Sequence, residues 1–79
     1  MDEKFRAIVG VIIPRVVDLI VKNVGIDEIS ATNALYISKT YEMLNNEETK
    51  LWHFSPLTLY NIWRTENATG DIVLPEEGV

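Results

Sequence analysis

The sequence predicts an all-α fold: a long N-terminal helix, bent at Pro14, packed on three to four shorter helices, followed by an extended C-terminal tail. Three observations carry this. Apolar residues in the first third recur at helical spacing. Helix-start residues punctuate the rest at Asp27, Asn46 and Ser55-Pro56. Large aromatics crowd between Ser38 and Trp63, where a small helical domain needs a packing centre. At 79 residues the chain is one domain or less. The expected division is a helical domain over 1–70 and an extended or frayed tail over 71–79.

The first helix follows from a stripe two residues wide. Phe5, Ile8, Val9, Ile12, Ile13, Val16, Val17, Ile20, Val21 and Val24 step by three and one. The pattern keeps its phase across Pro14, so one continuous helix is expected. Proline removes one backbone hydrogen bond and its ring presses on the carbonyl four residues earlier, here Gly10, whose backbone yields most easily. The β-branched residues also suit a strand over Phe5–Ile13. A helix starting at Pro14 is a further alternative. The lack of strict alternation favours the single helix.

Gly25 suits the left-handed position that ends such a helix. Asp27 is a natural N-cap for a second helix from Glu28 to about Lys39. That helix is expected to bury Ile29, Leu35, Tyr36 and Ala34. A short third helix over Thr40–Asn45 carries Tyr41 and Leu44. Asn46 then caps a short helix from Glu47 to His53. Ser55 as N-cap and Pro56 at the first helical position open the last helix, which runs to about Asn67 and stops at Gly70. It buries Leu59, Tyr60 and Trp63, with Leu57 and Ile62 at its flanks. The expected core is Leu35, Tyr36, Tyr41, Leu44, Leu51, Trp52, Leu59, Tyr60 and Trp63.

Composition excludes several classes of function. There is no cysteine and one histidine, so neither a disulfide framework nor a Cys-ligated zinc is available. No cofactor or metal is expected. Twelve acidic against seven basic residues give a net charge of −5. The basic residues are scattered, which argues against a phosphate-binding stripe and hence against nucleic acid. Arg15 and Asp18 interrupt the N-terminal apolar run before it reaches the roughly 18 residues of a membrane span. Its acidic start does not fit a secretory leader. A cytoplasmic protein without membrane contact is the expectation.

No catalytic constellation stands out. His53 could serve as a general base if Glu47, Glu48 or Glu66 oriented it. Its place between Trp52 and Phe54 at a helix end fits a structural role better. Glu47 and Glu48 are adjacent, so they do not converge on one helix face. The helix dipole accounts for both. The protein is therefore read as a non-enzyme. The first helix is the better site for chemistry of another kind, association. Its stripe is longer than the remaining chain can cover, so Phe5, Ile8, Val9, Ile12, Ile13, Val16 and Ile20 are expected at an interface. The partner is another protein or a second copy in a homodimer.

The segment SKTYEMLNNEETKLWHFSPLTLY carries a resemblance. Its Leu35-Tyr36 pair, Ser38–Tyr41, Glu47–Thr49, Leu51-Trp52 and Ser55-Pro56 resemble the SKTYE…EETKLW…SP signature of a family of small bacterial proteins from Firmicutes, of unknown function. The likeness covers roughly residues 26–66, with looser similarity in the first helix. It implies a regulatory or antitoxin-like protein acting with a co-encoded partner, and it brings no catalytic residues. The competing reading is a small dimeric helix-turn-helix-like transcription regulator, which the acidic charge disfavours.

Overall fold

The computed structural model describes residues 3–74. It is all-α, and no strand occurs among the described residues. Four α-helices, α1 (Glu3–Val24), α2 (Glu28–Tyr36), α3 (Lys39–Leu44) and α4 (Pro56–Thr69), follow in order. Two 3-10 turns, Glu47–Thr49 and Leu51–His53, join α3 to α4.

The long α1 helix is the mast of the molecule. Its 22 residues span about 33 Å at 1.5 Å per residue, which matches the longest molecular dimension of 33 Å. It runs unbroken through Pro14. Pro14 is exposed, so water can meet the carbonyl that it leaves unpaired. Phe5, Val9, Ile12, Val16, Val17 and Ile20 form the buried stripe, against which α4 and α2 chiefly pack. Gly25, at φ 82°, ends the helix by donating its N–H to the Val21 carbonyl at 3.0 Å. Only a glycine enters that left-handed conformation without strain.

The shorter helices depend on caps more than on propensity. Asp27 receives the Ser30 N–H at 3.1 Å and the Ser30 hydroxyl at 2.6 Å. These contacts hold the Asp27 carboxyl below its ordinary range. Ser38 caps α3 through the Tyr41 N–H at 3.0 Å. Ser55 caps α4 through the Thr58 N–H at 3.2 Å, with Pro56 as the first helical residue. Gly70, again at φ 82°, closes α4.

Three boundaries differ from the expectation. The second helix ends at Tyr36 rather than near Lys39, because Ser38 turns back to start the next helix. The segment expected as one helix over Glu47–His53 is two 3-10 turns, parted by Lys50 in the left-handed region at φ 61°. Thr49 locks this bend, its hydroxyl donating to the Met43 and Asn46 carbonyls. The last helix runs two residues past Asn67, to Thr69. Of the expected tail, Ile72 packs on the core while Val73 and Leu74 are exposed. Residues 75–79, which were expected to be extended or frayed, lie outside the described residues.

Candidate interaction surface

The geometry of the surface begins with Glu66, a residue that local sequence reasoning offered only as a neighbour for His53. Its carboxylate sits at the start of α3. One oxygen accepts the Lys39 N–H at 2.9 Å. The other accepts the Thr40 N–H at 3.0 Å and the Thr40 hydroxyl at 2.8 Å. Lys39 also reaches the last turn of α4, its Nζ donating to the Gly70 carbonyl at 3.3 Å. Burial pushes the Glu66 carboxyl up. The three hydrogen bonds and the Lys39 charge outweigh that and hold it below its ordinary value. The Ser38-Lys39-Thr40 run is thereby explained: serine caps α3, lysine and threonine present its N–H groups to α4, and threonine is fully buried.

This buckle fixes α3 on α4, and with it the approach of α2. Trp63 donates its indole N–H to the Ala34 carbonyl at 3.4 Å. Ala31 and Leu35, four residues apart, are wholly buried. Tyr36 and Ile29 then sit about 100° and 120° around the helix from Leu35, on a common side. Both point outward. Ile29 is 74% exposed, Tyr36 49%, and Ile37, just past the helix, 87%. This corrects the expectation that α2 buries Ile29 and Tyr36. The inward face of so short a helix is taken by Ala31 and Leu35, with Ala34 partly covered. Tyr36 is stacked on Tyr41, ring centroids 4.6 Å apart.

The exposed face adjoins a groove of about 330 Å³ between α1 and α2. Ile13, Pro14, Val17 and Val21 form its α1 wall; Glu28, Thr32 and Tyr36 form the opposite one. Asp18 stands on its rim, paired with Lys22 at 3.0 Å, both side chains mostly exposed. The α2 helix carries no basic residue.

The residues expected at an α1 interface have a different placement. Phe5, Val9, Ile12, Val16 and Ile20 are in the protein's own core. Ile13 is half-buried in the groove wall, and Ile8 is 37% exposed. Most of the α1 stripe is thus used by the fold itself, and among the described residues the largest exposures of apolar side chains fall on Ile37 and Ile29. Among the residues expected in the core, Leu35, Leu44, Leu51, Leu59, Tyr60 and Trp63 are buried. Tyr41 and Trp52 are half-buried, Trp52 meeting Phe5 edge-on at 5.9 Å.

His53 is exposed and stacks on Trp52 at 4.0 Å. The shallow pocket beside it is lined by Thr49, Lys50, Leu51, Phe54 and Leu74, without a carboxylate. Glu66, one of its imagined partners, is committed to α3. Among the described residues no group of three or more His, Asp or Glu side chains is placed to hold a metal ion. Nor, among the described residues, is any helix long and apolar enough to cross a membrane. No protein-family model, curated protein or solved structure matches the chain.

Proposed function

We propose that this chain is a non-enzymatic, cytoplasmic protein-interaction module that presents the outer face of α2 to a protein partner. One observation carries the reading: Ile29 and Tyr36, on one side of α2, and Ile37, just past its end, are all exposed. Scattered apolar residues are ordinary on a protein surface. An exposed aromatic flanked by exposed isoleucines on one short element is the usual kind of interface anchor. The position of Tyr36, braced from one side by Tyr41, reduces the side-chain freedom that binding would otherwise remove. The resemblance to small Firmicutes proteins supports a co-encoded protein as the partner, with this chain in a regulatory or neutralising role.

The test is capture from the native cell with two baits, the wild-type chain and the double variant I29D/I37D. Both positions are exposed, so the fold should survive the change. A protein retained by the first bait and lost with the second is the expected result. Retention of the same proteins by both baits would refute the assignment of the face. Sedimentation of the wild-type chain alone distinguishes a second copy: a dimer that the double variant abolishes would make the partner the chain itself.

A further inference from the structure

The groove beside the exposed face has a composition that selects among partners. Its α1 wall is apolar, from Ile13, Pro14, Val17 and Val21. The Tyr36 ring stands in the opposite wall, and its stacking on Tyr41 leaves it a second face. Two carboxylates, Asp18 and Glu28, stand around it. An apolar channel with an aromatic wall and carboxylates at the rim matches one kind of side chain, a long aliphatic stem ending in a cation.

The wider charge distribution agrees. Asp27 and Glu28 open α2, and Glu42 lies exposed on α3. Of the cations nearby, Lys39 and Lys22 hold partners, while Arg15 is exposed on α1 next to Pro14. Lys39 is bound to the end of α4. Lys22 is four residues from Asp18 and pairs with it in solvent, a weak contact that an incoming guanidinium can replace. A second copy of this chain, itself at −5, would bring more acid to an acidic face. A partner segment bearing arginine or lysine would not.

We infer that the α1–α2 groove is a receptor for a basic amphipathic segment of the partner protein. An arginine or lysine of that segment enters the groove between Asp18 and Glu28, along Tyr36. The segment's apolar side covers Ile29, Tyr36 and Ile37. This rests on the proposal that the α2 face is an interaction surface, and it adds the chemistry of the partner.

The experiment uses two synthetic helical peptides with the same leucine pattern. One carries arginine on its polar face; its twin carries citrulline at the same positions, which keeps shape and removes charge. Each is titrated into the 15N-labelled full chain, and amide shifts are followed. The arginine peptide should shift residues of the groove and α2, Val17, Asp18, Thr32 and Tyr36 among them. It should bind about three- to tenfold more tightly than its twin, the scale of one or two partly exposed ion pairs. The difference should shrink with added salt and be lost in D18N/E28Q, both exposed positions. Equal binding of the two peptides at this face would overturn the inference while leaving the interaction surface standing. Absence of arginine-peptide binding, or binding that shifts only residues elsewhere, would overturn it as well, and the two-bait capture would then judge the surface by itself. A dimer of the chain that buries Ile29 and Ile37 would overturn it in favour of a second copy.

Discussion

Replacing Glu66 by alanine should remove more stability than any other change of a charged side chain. The carboxylate satisfies two backbone N–H groups at the start of α3 and the Thr40 hydroxyl. Loss of a helix cap costs about 1 kcal/mol. Leaving the groups of the buried Thr40 without acceptors costs roughly 2 kcal/mol more, at the lower end for bonds to a charge because Glu66 is only half-buried. The sum, about 3 kcal/mol, is a large part of the roughly 4–12 kcal/mol expected for a domain of this size. It corresponds to a fall of about 12–24 °C in melting temperature. E66Q keeps an acceptor but turns its NH₂ toward an N–H donor, so it should cost about 1–2 kcal/mol. Urea unfolding followed by the fluorescence of Trp52 and Trp63 measures both. A loss under 0.5 kcal/mol in E66A would refute the buckle as the link between α3 and α4. Acid supplies an independent check. The folded protein holds the Glu66 proton less firmly than the unfolded chain. Its contribution is therefore complete above the ordinary value of 4.5 and drains away as pH falls below it, through the lowered native value. The stability gap between wild type and E66Q should narrow over that same interval.

Other substitutions probe the remaining elements. L35A, at a fully buried position, should cost about 2–5 kcal/mol, while I29S on the same helix should stay within about 0.5 kcal/mol; similar losses in thermal melts would contradict the orientation of α2. G10A should stabilise by about 0.5–1 kcal/mol, since a Cβ there meets nothing within 4 Å, and a lower melting temperature would show that Gly10 must give way to Pro14. K50G should gain about 0.5 kcal/mol, relief of the left-handed backbone exceeding the added freedom of the unfolded chain; a loss in urea unfolding would place other contacts of Lys50 above its backbone strain.

Much of this architecture is legible from local chemistry. The α1 stripe spans six turns, so its period is unmistakable, and Asp27, Ser55-Pro56, Gly25 and Gly70 act where they stand. Interactions across the chain are not legible in the same way. Glu66 meets Lys39 and Thr40 across 27 and 26 positions, and nothing in TENAT marks it as a cap for another helix. The orientation of α2 was hidden for a related reason. Its amphipathic signal is weak, with Ile29, Ala31, Leu35 and Tyr36 spread around nine residues. Size alone favours burying isoleucine and tyrosine, but the contact of Trp63 with Ala34 selects the alanine-leucine side. The break at Lys50 escaped because lysine seldom takes a positive φ; the Thr49 hydroxyl that holds the bend is visible only in three dimensions.

The most direct measurement of the central claim is hydrogen–deuterium exchange of the chain alone and in complex with the protein it captures. Slowed exchange confined to α2 through Ile37 and to the groove wall from Ile13 to Val21 is the result predicted. Protection centred on α4 or on the N-terminal turns of α1, with the amides of 28–37 unchanged, would contradict it.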